Sequence, residues 1–124
     1  MEELVFITKK KNRAETDVSL NVTHSQDGKN NTVSIVFRHG VEKLITMGKS
    51  EYVVVAQLGE RVYFKYANEA EGYKLSDRKN KAHNYYTSIS ENVAPSFYKF
   101  IEKHTGDYAL KFDTDRNLHY VDCE

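Results

Sequence analysis

An α+β fold is what this sequence predicts: a mainly antiparallel β-sheet built from hairpins, with one principal helix in the C-terminal half. Three observations carry that expectation. Several short runs alternate apolar and polar residues, the period of a half-buried strand. Turn-forming residues separate those runs at short intervals, which favours hairpins and therefore antiparallel pairing. Only the segment from about Pro95 to His104 repeats its apolar residues convincingly at helical spacing.

The central hairpin is the clearest element. Tyr52 to Leu58 and Arg61 to Tyr66 flank Gly59-Glu60. Glycine at the first central position of a two-residue loop fits a type II′ turn, whose twist matches that of the strands. The turn then sets the register. Gln57 faces Val62, Val55 faces Phe64 and Val53 faces Tyr66, giving one apolar face. A slip of one residue would turn that face outward. The second face carries Tyr63 with Val54, Ala56 and Lys65. It is too apolar for open water and calls for a cover, from the helix or from another subunit.

The remaining elements follow in order. Leu4 to Thr8 is a short β-rich run, and Lys9 to Arg13 a basic break. Asp17 to Thr23 and Thr32 to Phe37 alternate as two strands of a hairpin, with Gln26 to Asn31 as its long tip. Val41 to Met47 is short enough to be one helical turn. Tyr73 to Leu75 and Tyr85 to Ile89 read as short strands, and Ser76 to Asn84 as a polar loop. Pro95 suits the first position of a helix. Phe97, Phe100, Ile101 and His104 share one of its faces, and Gly106 is placed to end it in the left-handed conformation. A last hairpin follows, with Tyr108, Leu110 and Phe112 going out, Asp113 to Asn117 turning, and Leu118 and Tyr120 returning.

Composition bounds the function. With 124 residues, 40% hydrophobic and 29% charged, the chain reads as one domain over 1–124 able to bury a core without staples. Its 18 basic and 18 acidic side chains cancel, which argues against a uniformly basic nucleic-acid coat and leaves local patches open. The single cysteine, Cys123, excludes an intrachain disulfide and fits a reducing compartment. The first residues lack a secretory signal pattern, and no apolar run approaches a membrane span. A cytoplasmic setting with no membrane partner is expected.

Candidate chemistry is sparse. Arg38-His39-Gly40 resembles the signature of histidine phosphatases, but that family places it near the start of a larger α/β domain. A strand end with a turn glycine accounts for it here. Asp113, Asp115, Asn117 and Glu124 match four positions of a calcium loop, yet its required glycine is Leu118 in this chain. An Asx-rich hairpin turn is the simpler reading. No pair among His24, His39, His83, His104 and His119 has metal-ligand spacing. No catalytic residue, metal or cofactor is assigned, and an enzyme is not expected.

Two basic clusters are the candidate binding residues. Lys9, Lys10, Lys11 and Arg13 form one; Lys74, Arg78, Lys79 and Lys81 form the other, beside Tyr85 and Tyr86. Cations next to rings suit phosphate and base contact. Acidic residues collect elsewhere, at Asp107, Asp113, Asp115, Asp122 and Glu124, so the chain reads as charge-polarised and suited to electrostatic docking.

Ser34 to Val41, Glu51 to Val55, Arg61 to Lys65, Gly72 to Ser76 and Gly106 to Lys111 together resemble small uncharacterised proteins of bacteriophages of Gram-positive hosts. The resemblance implies an accessory protein of the anti-defence or anti-CRISPR kind, acting in the host cell by occupying a surface of its target. The implied partner is a host protein or a protein–nucleic-acid complex, with homodimerisation open. The order of elements from Thr32 to Tyr66 also resembles AbrB-like swapped-hairpin DNA binders, though those rely on a basic dimer surface and the matching region here is not clearly basic. The alternative function is a nucleic-acid-binding regulator that uses the two basic clusters with their neighbouring tyrosines.

Overall fold

In the computed structural model, residues 17–26, 28–38, 41, 45, 50–78 and 84–124 are described. They form two antiparallel sheets of five strands each and one short helix. The first sheet has the order β6-β7-β2-β1-β8, from β1 (Val18–His24), β2 (Asn31–Phe37), β6 (Ser76–Arg78), β7 (Asn84–Ser90) and β8 (Gly106–Tyr108). The second has the order β5-β3-β4-β10-β9, from β3 (Tyr52–Leu58), β4 (Arg61–Ala67), β5 (Tyr73–Lys74), β9 (Lys111–Asp113) and β10 (Leu118–Asp122).

The edges of the two sheets are joined. Leu75 alone separates β5, an edge of the second sheet, from β6, an edge of the first. Ala109 and Leu110 make the same passage between the other two edges, β8 and β9. Strands that switch sheets form the corners of such a sandwich. Hydrogen bonds from backbone N–H groups fix both corners: Leu75 N–H donates to the Glu51 carbonyl at 2.7 Å, and Leu110 N–H to the Asp17 side-chain carboxylate at 2.9 Å. Gly72 lets the chain enter β5 close to β3, since a Cβ there would lie 2.8 Å from that of Tyr52.

The alternating residues meet between the sheets. Val18, Leu20, Val33, Ile35 and Phe37 of the first sheet oppose Val53, Val62, Phe64 and Val121 of the second, and all are buried. The central hairpin has the expected register, with Gln57 opposite Val62, Val55 opposite Phe64 and Val53 opposite Tyr66. Gly59 has φ 60° and is the only residue of its turn with positive φ, as a type II′ turn requires.

The helix, α1 (Pro95–Glu102), packs on β1 and β2. Proline occupies its first turn, where the missing N–H costs nothing. It buries Phe97, Tyr98 and Ile101. Tyr98 thus takes a buried place expected of Phe100, which is half-buried and stacks on His104 at 4.3 Å between ring centroids. Gly106 does not cap this helix in the left-handed conformation. It has φ 149° and opens β8.

Two further expectations change. Ser76–Arg78 is strand β6, and Asn84 already belongs to β7, so the stretch is not simply a loop. Tyr108 and Phe112 lie on strands of different sheets. Leu4 to Thr8 lies outside the described residues. So does most of Val41 to Met47, of which Val41 and Ile45 are buried. Among the described residues no helix is long and apolar enough to cross a membrane.

Candidate binding surface

The outer face of the second sheet holds a connected network of polar side chains. Pairing places Tyr63 beside Tyr120, Arg61 beside Asp122, and Lys111 on the other side of Tyr120. Their neighbours Val62, Phe64 and Val121 point into the core, as strand alternation demands. The rings of Tyr63 and Tyr120 lie 5.3 Å apart. Both are nearly buried, at 4% and 9% exposure.

Arginines cover these rings, and the helix packs on the other sheet instead. The Arg61 guanidinium carbon sits 4.4 Å from the centre of the Tyr120 ring, and that of Arg116 sits 5.6 Å from the Tyr63 ring. A guanidinium over a tyrosine face is attracted by the ring quadrupole and strips water from it. Asp113 anchors the arrangement. The Tyr63 hydroxyl donates to its Oδ2 at 2.8 Å, Arg116 Nη1 donates to the same oxygen at 3.3 Å, and Arg61 Nη1 lies 3.6 Å away. Its Oδ1 accepts the backbone N–H groups of Asp115 and Arg116 at 3.0 and 3.2 Å.

That last pair is an Asx turn, the local fold favoured by an aspartate at a hairpin corner. Asn117 completes the corner with φ 56°, which asparagine tolerates better than most residues. The carboxylate of the calcium-like motif is thus turned onto its own loop and onto two arginines. Among the described residues no group of three or more His, Cys, Asp or Glu is placed to hold a metal ion.

The Tyr63 bond, opposed by burial and joined by the Arg116 and Asp115 donors, holds the Asp113 carboxyl below its ordinary value of 3.8. A depressed carboxylate contributes stability above its unfolded pKa and loses it as pH falls through the folded one. Asp113→Asn is therefore expected to be less stable than the parent at neutral pH. That difference should shrink as pH falls below 3.8. Urea melts of both chains across the acid range check this; a difference independent of pH would assign the effect to packing.

The structure describes four of the sequence-derived binding residues and divides them between the two sheets. Lys9, Lys10, Lys11, Arg13, Lys79 and Lys81 lie outside the described residues. Lys74 is exposed on β5, paired with Tyr52 in the second sheet. Arg78 pairs with Asn84 in the first sheet. Tyr85 and Tyr86 are neighbours in β7 and so face opposite ways. Tyr85 packs against the core, while Tyr86 is 36% exposed on the outer side. The strand that switches sheets at Leu75 divides what composition alone presents as one basic, aromatic loop.

Nor is the C-terminal acidic set a bare negative patch. Asp113 and Asp122 lie within 4.0 Å of arginine nitrogens, and Asp107 lies 3.4 Å from Arg38 across a Ser19 that bonds to both. The described histidines have structural neighbours. His24 Nδ1 is 3.0 Å from Asn31 Oδ1 and 3.3 Å from the Tyr98 hydroxyl. His104 Nδ1 is 2.7 Å from the Phe100 carbonyl. His119 packs edge-on to Phe112, and burial lowers its pKa. His39 and His83 lie outside the described residues.

Cys123 is 6% exposed, and burial pushes its thiol up to about 11, beside a Tyr108 phenol pushed up to about 12. A neutral thiol is a poor nucleophile. Iodoacetamide is expected to label Cys123 slowly in the native chain at neutral pH and rapidly in urea. Fast native labelling would show that the thiol reaches solvent. The thiol's contribution to stability is intact below its ordinary value of 9.0 and is lost as pH rises from there through about 11.

Two surface clefts lie among the described residues near these groups. One, of about 410 Å³, opens between β3, β5, β7 and the start of α1, with Val55, Tyr73, Ile89 and Phe97 in its wall. The other, of about 380 Å³, lies on the arginine face between Leu58, Arg61, Arg116 and Asp122. Leu58, 52% exposed at the tip of the central hairpin, forms its apolar rim. No protein-family model, no curated protein and no solved structure matches this chain.

Proposed function

We propose that this chain is a non-enzymatic accessory protein of the bacteriophage kind. It acts in the host cytoplasm by binding a macromolecular partner, as an inhibitor of a host defence nuclease. The observation that carries the reading is the outer face of the second sheet. Arginine is enriched at binding hot spots because it combines contact area with directed hydrogen bonds, and Arg61 and Arg116 are 41% and 50% exposed above the nearly buried Tyr63 and Tyr120. Here they are held in place by stacking and by Asp113 before any partner arrives, which lowers the entropy lost on binding. Leu58 adds an apolar contact at the rim. The phage resemblance supplies the setting, and a nuclease holding nucleic acid is the class of target it implies.

The test has two parts. Producing the chain in a host with an active RNA-guided nuclease is expected to restore plaques of a targeted phage. Purified chain added to that nuclease is expected to inhibit it with a saturating, stoichiometric dependence. Leu58→Asp should weaken inhibition without lowering the thermal midpoint, because Leu58 lies outside the core. Absence of protection in hosts carrying each major class of nuclease would remove the reading.

A further inference from the structure

We propose that the outer face of the second sheet grips the backbone of a single-stranded nucleic acid. The inference deepens the reading just given and rests on it for the biological setting: the strand would be one held by the target complex.

The first observation is the placement of three lysines. Lys111 lies on β9 beside Tyr120, Lys65 on β4 beside Val54, and Lys74 on β5 beside Tyr52. One strand separates β9 from β4 and another separates β4 from β5. Each step from one lysine to the next also moves two residue pairs along the strands. The lysines therefore fall on a diagonal, each about 12 Å from the next by strand spacing and rise. All three are exposed and form no ion pair among the described residues. Strand register makes the line, so it is invisible in the spacing of residues 65, 74 and 111 along the chain.

The second observation is what lies beside that line. The guanidinium groups of Arg61 and Arg116 rest on Tyr120 and Tyr63, between Lys65 and Lys111, with 41% and 50% of their side chains exposed. Both arginines also line the cleft of about 380 Å³ on this face, so part of each guanidinium stays within reach of a ligand. Open guanidinium planes stack on bases. Charges for phosphates beside planes for bases are the parts of a single-strand groove. A duplex keeps its bases stacked on one another and would leave those planes unused. Of the acidic residues nearby, Asp113 and Asp122 pair with the arginines and Glu69 accepts the Tyr52 hydroxyl, while Glu60 and Glu124 line the cleft beside Arg61 and Arg116.

Fluorescence anisotropy with a labelled single-stranded oligonucleotide of mixed sequence, over a salt series, tests the proposal. The parent is expected to bind, with affinity falling as salt rises. The triple variant K65Q/K74Q/K111Q should bind at least about tenfold more weakly, with a salt slope smaller by about two, because each lost phosphate contact removes about 0.7 from a single-strand slope. Its thermal midpoint should be unchanged. The variant R61K/R116K keeps the charges and removes the planes, so it should lose affinity at constant slope; circular dichroism confirms its fold.

Three results would overturn the proposal: equal binding by parent and triple variant, tighter binding to the matching duplex, or equally tight binding to polyglutamate. The plaque assay separates the two levels. Protection that survives the triple variant removes this inference and leaves the inhibitor reading standing. Strand binding without protection does the reverse.

Discussion

Phe64→Ala is expected to cost about 3–5 kcal/mol in a urea melt, the range for deleting a buried ring. Phe64 is 1% exposed and Phe37 is fully buried. Their rings meet edge-to-face at 5.2 Å and 84°. One belongs to β4 and the other to β2, so the contact spans the space between the sheets. Close-packed surroundings cannot collapse fully into the space a ring leaves, which is why the cost exceeds simple transfer from water. Against a total stability of about 5–15 kcal/mol for a domain, the loss is severe. A double-mutant cycle with Phe37→Ala should return a coupling of about 0.5–1.5 kcal/mol, the usual worth of an edge-to-face pair. A loss under about 1 kcal/mol for the single variant would mean that the sheets do not pack through this pair. Strand binding should weaken in parallel, because Phe64 sits between Tyr63 and Lys65 and holds β4 in plane.

Ile101→Ala is expected to cost about 2–5 kcal/mol. Ile101 is fully buried beneath α1, where the helix lies on β1 and β2. A helix of eight residues has no stability of its own in water. Its existence depends on the contacts of Phe97, Tyr98 and Ile101. Removing the central one should loosen the helix as well as lower the melt, which faster amide exchange over Phe97 to Glu102 would report. Lys99→Ala, on the exposed side of the same helix, should stay within about 0.5 kcal/mol. Equal effects for the two would contradict the packing described.

The elements most legible in the sequence are those whose geometry is decided within a few residues. A two-residue loop at Gly59-Glu60 fixes seven residue pairs, so local turn chemistry was enough for the central hairpin. Alternation likewise sufficed for β1 and β2. What escaped is decided by distant partners. Ser76–Arg78 is polar and only three residues long, and it is a strand because β7 offers it a ladder. Tyr98 is buried because β1 comes near, with His24 at 3.3 Å from its hydroxyl.

The candidate surface divides the same way. Alternation showed that Tyr63 faces away from the core and needs a cover. The cover is a hairpin 50 residues further on, whose Asp113 accepts the Tyr63 hydroxyl. The signals were present as a tyrosine on an outer strand face and an Asp-x-Asp-Arg turn, but no local rule connects them. The lysine diagonal needs the order of all five strands.

The shared corners also have a consequence for biosynthesis. In the second sheet β10 lies between β4 and β9, and in the first β8 completes the edge beside β1. Roughly 50 residues separate β4 from β10, and a ribosome adding about 5–20 residues per second takes several seconds to supply them. Throughout that interval the nascent chain holds β4 with one side unpaired. The sandwich can close only when translation of this region is nearly finished, which makes the emerging chain a natural client for a holding chaperone.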